Sequence, residues 1–594
     1  VASALAAALL VSSGPDAIFL DHRASVDLIR SPDLLAVEVS DETIIPLNAS
    51  GVARFSSLSV PYDRSMETVM VVKAEIHPVR PGRPEAEARV TERPRPGLAA
   101  SGRLESNFRE LVIEFTGVET GDTLFITTRR EIERLPLVDA YSYSFFSQST
   151  DSIASSCFSV RWPAGAPLLI AGPPPSTDYE AGGVRHLQWP CGPMPALPPL
   201  PLGVPVEMEA RRVIIASHPP EELGALLCPV LDPGGAGGAE EAALSMVIDS
   251  VGRDPDSLRA WVARSISFLG AGIGAHPGFT PRTPLQTLQD RCGVCRDKSV
   301  LLTALLREAG SRAWLGLTRV SHPLDELCGI RDFDHMVVLL ERDGAIDILD
   351  PSTAGHSTPA GYALRGLPVL PVAPWCRGYE TVPSEGCDTL SIRMSLGFSS
   401  GLDSLSGGFE AGFTGAVDEL WRDMLSRVDV EAWPEMLEAL FGASPSSALR
   451  IVGDPHDPLS AVSVEGTITI PSRLIGDGDT SAMILPGLVD VNRAGSRIAA
   501  LLLAGEGSSG RAEGTDTPMI ELLDAAICIP EGFAPSLPEP ASAEGHEVSV
   551  RIEGDSLRWS ESCDLGNHAV SRLRRTALAR CAGSPRGILL TEER

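Results

Sequence analysis

The segment Arg291–Gly310, RCGVCRDKSVLLTALLREAG, places a cysteine where a helix should begin. Ser299, Leu302, Leu305, Leu306 and Ala309 fall on one helical face, and Gly310 is a natural C-terminal stop. Cys295 therefore sits at or near the helix N-terminus, where the dipole and free N–H groups favour a thiolate. Gly293 permits close approach of a substrate backbone. A thiolate so placed is a nucleophile in search of a base.

The segment FDHMVVLLERDGAIDILDPST supplies one. HMVVLLE and AIDILD read as buried strands joined at Asp343-Gly344, a strong two-residue hairpin signal. Arg342 then faces Ala345, which puts His335 opposite Ser352 and Asp350 opposite Val337. His335 and Asp350 become diagonal neighbours on one face, with β-carbons roughly 7–8 Å apart or less. Asp347 has the wrong parity and points to the other face. His335 can take the thiol proton and later protonate a leaving amine. Asp350 can fix the imidazole tautomer and stabilise its cation.

In these motifs the chain resembles the transglutaminase-like superfamily. GVCRDKSVLLTALLREAG is similar to its cysteine motif, FDHMVVLLE to its histidine strand and DILDPST to its aspartate strand. Cys-Arg-Asp-Lys before a Leu-rich helix resembles a bacterial exported subgroup with a β-sandwich before the core and a further domain after it. GVETGDTLFITTRREIE and CIPEGFAPSLPEP resemble stretches of those flanking domains. The resemblance implies a papain-like core with Cys295 as nucleophile, His335 as base and Asp350 as orienting acid. Ser352 stands where many relatives have Thr directly after Pro. Asp297 and Lys298 are candidate pocket walls that touch substrate, or else a surface pair. Gln286 and Gln289 are upstream candidates for an oxyanion donor, with an exposed role favoured; the Cys295 backbone N–H is the better one.

Cys292 and Cys295 also form a CxxC, which at a helix start can be a redox pair. No βαβ pattern precedes it, and His335 and Asp350 then have no role. A structural zinc would need a second ligand pair that the sequence lacks. No metal or cofactor is implied. Of the eleven cysteines, Cys376 with Cys387 and Cys563 with Cys581 are conceivable disulfides.

The elements around these motifs divide 594 residues into several domains. Residues 1–15 read as a signal-peptide remnant, an apolar stretch with small residues at its end. Residues 16–205 alternate apolar and polar positions between turns, as an antiparallel β-sandwich does, and close on the proline-rich Pro193–Pro205. Residues 206–254 read as a linker with a helix. Residues 255–385 form the α+β core, and 386–594 a mixed, β-rich domain. The fold class is multidomain α+β.

A net charge of −29 excludes nucleic acid and anionic membrane surfaces as partners. No later apolar run reaches the ~18 residues of a membrane span. The basic residues are nearly all arginine; only Lys73 and Lys298 are lysines. The sequence therefore points to an exported enzyme, periplasmic or extracellular, with a peptide, protein or other amide as substrate. The alternative is a non-catalytic binding scaffold that retains the core. Oligomeric state is not encoded in any motif.

Overall fold

The computed structural model describes residues 15–594 except 32–33, 95–106, 199–205, 233, 235–236, 270–279, 321–323, 353–357, 384–387, 402, 427, 472, 478–479, 485–518, 529–532, 537–540, 544–545, 554–555, 565–586 and 593–594. The signal-like stretch at 1–14 lies outside the described residues.

The N-terminal half is built on a nine-stranded sheet whose long first strands, Ala17–Ser31 and Leu34–Pro46, lie at its centre. A bulge at Leu20 inserts one residue between the pairs Phe19–Ile44 and Asp21–Thr43. The bulge reverses side-chain parity, so Ala17 and Phe19 share the core face with Ala24, Val26 and Leu28. Two three-stranded sheets cover that face. Ser57–Asp63, Phe108–Glu114 and Arg89–Pro94 pack over Phe19, Ile44, Leu124 and Ile126. Leu169–Ala171, Arg212–Ala216 and Ser142–Phe146 pack over Val26, Leu28, Phe158 and Trp162.

Two expectations change here. The sheet is mixed, because Ser156–Pro163 runs parallel to Ala17–Ser31. The chain leaves the large sheet after Ile132 and contributes Ser142–Phe146 to the covering layer before returning, a detour that permits parallel entry. Nor is 206–254 a linker. Arg212–Ala216 is the central strand of a covering sheet, and Leu223, Leu227 and Leu231 of helix Pro220–Leu231 join the same core. Helix Ala239–Val251 packs on Cys295–Glu308.

The central unit is a five-stranded antiparallel sheet in the order Ala345–Leu349, His335–Arg342, Ala313–Thr318, Pro368–Val372, Glu380–Thr381. Leu301, Leu302, Leu305 and Leu306 of helix Cys295–Glu308 pack on one face with Val338, Leu340 and Leu349. Val337, Leu339, Ile348, Leu364 and Val369 fill the other face. Burial on both faces explains why HMVVLL reads as a continuous apolar run.

The C-terminal unit is an eight-stranded sheet with a four-stranded sheet beside it in sequence. Helices Ala416–Ser426 and Trp433–Phe441 pack on the larger sheet through Val417, Trp421, Leu437 and Phe441. The whole is a multidomain, strand-rich α+β protein. No helix of the described residues is long and apolar enough to cross a membrane.

Cys376 is a free, buried thiol within reach of the Pro220 and Gly378 carbonyls. Cys387 and Cys581, the second members of both conceivable pairs, lie outside the described residues.

Candidate active site

Cys295 is the first residue of its helix, after an extended Val294. Asp297 closes this end: its carboxylate accepts from the Val294 N–H at 3.1 Å and the Arg282 N–H at 3.0 Å. A side chain at Gly293 would meet the Asp297 β-carbon at 2.8 Å, so glycine here makes room for the cap. Gly293 and Asp297 are both buried. Their work is to start the helix at the thiol. As the first helical residue, Cys295 keeps a backbone N–H with no intrahelical acceptor.

Lys298 is likewise interior, which rules out the surface-pair alternative. It is 1% exposed, and its Nζ donates to the carbonyls of Ala263 and Ser352, each at 3.1 Å. Burial lowers its pKa to about 8, against the opposing pull of Asp350. Lys298 thus ties helix Cys295–Glu308 to the turn that follows Asp350. Ser299 ties the same helix to the histidine strand, donating to the Met336 carbonyl at 2.8 Å.

The hairpin has the register its turn requires. Arg342 pairs with Ala345 and Val338 with Leu349, with Asp343 and Gly344 at φ of 54° and 81°. Asp347 points away and pairs with Arg342 at 3.2 Å. His335 Nε2 lies 2.8 Å from Asp350 Oδ2, while Asp350 Oδ1 accepts from the Ser352 N–H at 2.8 Å. The Asp350 N–H donates to the Pro359 carbonyl at 2.7 Å. With Nε2 committed to Asp350, Nδ1 is the ring nitrogen left for the thiol, and Cys295 is close enough to help raise the His335 pKa.

Burial works against a charged imidazole here. Even so, the Asp350 charge and hydrogen bond, joined by the contact with Cys295, hold the His335 pKa well above its ordinary value. Cys295 is 1% exposed and Asp350 3%, so the thiol–imidazole–carboxylate line is almost sealed. Arg259, itself buried, adds an attractive charge toward Asp350. That residue was missed in the sequence because a helical arginine carries no sign of the carboxylate it faces.

The remaining candidates fall elsewhere. Gln286 completes the capping box of helix Pro284–Asp290 with Thr283, and Gln289 is exposed. Cys292 pairs through its backbone with Ser267, in a two-residue parallel ladder before the helix, and both cysteines of the CxxC are free thiols. Among the described residues no cluster of His, Cys, Asp or Glu could hold a metal ion.

Residues 32–198 match the model of a domain of unknown function with solved structure, DUF3857. No curated protein matches the sequence. Across nearly its whole length the chain is similar in fold to a provisionally assigned protease from Parabacteroides distasonis. That likeness has a TM-score of 0.62 and 14% identity, covering 97% of this chain and 99% of the other. At that identity it speaks for the fold alone. An M1 zinc metallopeptidase from Deinococcus radiodurans overlaps 35% of this chain and 43% of its own at a TM-score of 0.20 and 11% identity, too little to carry an argument.

Proposed function

We propose that the protein is a cysteine-dependent enzyme of the transglutaminase-like kind, with a papain-related core, acting on peptide or amide bonds. The observation that carries this reading is the 2.8 Å His335–Asp350 hydrogen bond beside a cysteine that opens a helix and helps raise the His335 pKa. His335 takes the thiol proton, and the sulfur adds to the substrate carbonyl. The Cys295 N–H is placed to receive the developing oxyanion. The imidazolium then protonates the departing amine as the C–N bond breaks, leaving a thioester on Cys295. Water completes hydrolysis; a second amine completes transamidation. The fold likeness to a provisionally assigned protease accords with peptide substrates. The apolar stretch before residue 16 supports export to the periplasm or beyond.

A second reading, a binding scaffold that keeps the core, draws on the 1% exposure of Cys295. The two separate in one experiment: labelling of the full chain with an electrophilic peptide probe and mass-spectrometric mapping of the modified residue. Modification at Cys295 that is lost in Cys295→Ala and suppressed in His335→Ala is expected of the enzyme. A chain that reacts with small iodoacetamide but never with a peptide electrophile would be the scaffold.

A further inference from the structure

His335 is the first residue of its strand and is held from one side only. Its backbone pairs with Thr318, but the ladder to the aspartate strand begins at Val338–Leu349. The ring's position therefore depends on the segment that leads into it, residues 324–334. On the core side that segment is tied to the two residues that follow strand Ala313–Thr318. Asp334 accepts from the Val320 N–H at 2.7 Å, and Asp332 pairs with Arg319 at 3.0 Å.

On its other side the segment rests on the N-terminal β unit. Arg331 forms ion pairs with Glu38 at 2.8 Å and Glu67 at 3.2 Å, from neighbouring parts of the large sheet. The Tyr141 hydroxyl donates to Glu38 at 2.9 Å. Ser142 donates to Asp332 at 2.5 Å, and the Ile330 N–H to the Ala140 carbonyl at 3.3 Å. A side chain at Gly329 would meet Ser142 Oγ at 2.6 Å, so the two units touch closely where the segment turns. Arg130 shares both carboxylates, at 3.5 Å and 2.6 Å, so two arginines are held together by two glutamates.

We propose that the N-terminal β unit is a positioning module for the reaction: Glu38, Glu67 and Ser142 fix the segment that delivers His335 to Cys295. This gives residues 32–198, a region matching a domain of unknown function, a part in the chemistry without touching substrate. Arg331 and Asp332 are positioning residues, three to four places before the base. A displacement of about 1 Å in such a group can cost 10²-fold in rate. The inference rests on the Cys295–His335 pairing proposed above.

The test uses the full-length chain carrying Glu38→Gln with Glu67→Gln. The amides keep the shape but leave Arg130 and Arg331 side by side without countercharge. The reading is iodoacetamide alkylation of Cys295 by peptide mapping, expressed as the rate at pH 6 over the rate at pH 9, so that altered access cancels. We expect this ratio to fall about tenfold, with faster amide exchange confined to 324–335. Ser142→Ala, a milder change that keeps the charges, should move the ratio the same way by less. Faster exchange with an unchanged ratio in both variants would make the contact merely structural and overturn the proposal. His335→Ala is the control. If it leaves the ratio at the wild-type value, the Cys295–His335 reading fails and takes this inference with it. A lowered ratio there beside an unchanged one in the Glu and Ser variants removes the inference alone.

Discussion

The two ends of the hairpin are secured by different physics. Ahead of His335, the chain is held by charge across a partly solvated boundary: Arg331 is 31% exposed, against 12% and 9% for Glu38 and Glu67. Behind Asp350, it is held by hydrogen bonds from two directions, buried on one side and half-buried on the other. Lys298 reaches the Ser352 carbonyl from helix Cys295–Glu308. Thr358 donates through its N–H and hydroxyl to Glu419, on a helix of the C-terminal unit. The buried Arg365–Asp388 pair adds a second tie to that unit. A partly solvated ionic clamp can shift when a partner is lost because water reaches the freed charge, whereas a buried donor lost strands its acceptors. The imidazole is therefore adjustable, and the carboxylate is fixed.

The largest effects should fall where the two halves meet. With fluorescein-labelled casein or a fluorescent primary amine as reporter substrates, Cys295→Ala should abolish turnover and His335→Ala should nearly do so. Asp350→Asn should leave the fold intact, since the amide can still accept from the Ser352 N–H. Turnover should nonetheless fall roughly 10³–10⁴-fold through loss of the imidazolium's countercharge and preferred tautomer. A mild loss in Asp350→Asn would mean the rigid side of the comparison is scaffolding only.

Next in size comes the buried anchor. Lys298→Met strands two carbonyls and should cost on the order of 3 kcal/mol in urea unfolding at pH 7. Its pH dependence gives a sharper reading. The folded pKa near 8 lies below the ordinary lysine value of 10.5, so the unfolded chain binds more protons between these values. Stability contributed at this site therefore rises with pH from about 8 to 10.5. The gap between wild type and Lys298→Met should widen over that window, and a constant gap would show that Lys298 is not held as a buried cation.

His335 has the opposite sign. Its folded pKa is raised, so its pairing with Asp350 stabilises fully below about 6.5, the ordinary imidazole value, and the benefit fades as pH rises through the folded value. The stability difference between wild type and His335→Gln should thus be larger at pH 6 than at pH 9. The smallest effect belongs to salt. Raising NaCl from 0.1 to 1 M should speed amide exchange at 329–332 by a few-fold through screening of the Arg331 clamp, while 350–352 stays unchanged. Equal responses at both ends would erase the contrast between them.

What could be read directly was local. Asp343-Gly344 demands left-handed backbone at both turn positions, so the sequence fixes the register and the common face of His335 and Asp350. The step from Val294 to a Leu-rich amphipathic run likewise marks where the helix begins and places Cys295 there. Other features depend on residues far apart in the chain. Asp297 and Lys298 look like surface charges by type, yet tertiary packing buries both and turns one into a cap and the other into a strut. The parallel return of Ser156–Pro163 and the recruitment of Arg212–Ala216 depend on which edges lie open after the first strands pair. Arg331 meets Glu38 across 293 residues. Turn chemistry and helix periodicity act over a few residues and are written in them; burial and long-range ion pairs exist only once the units have come together.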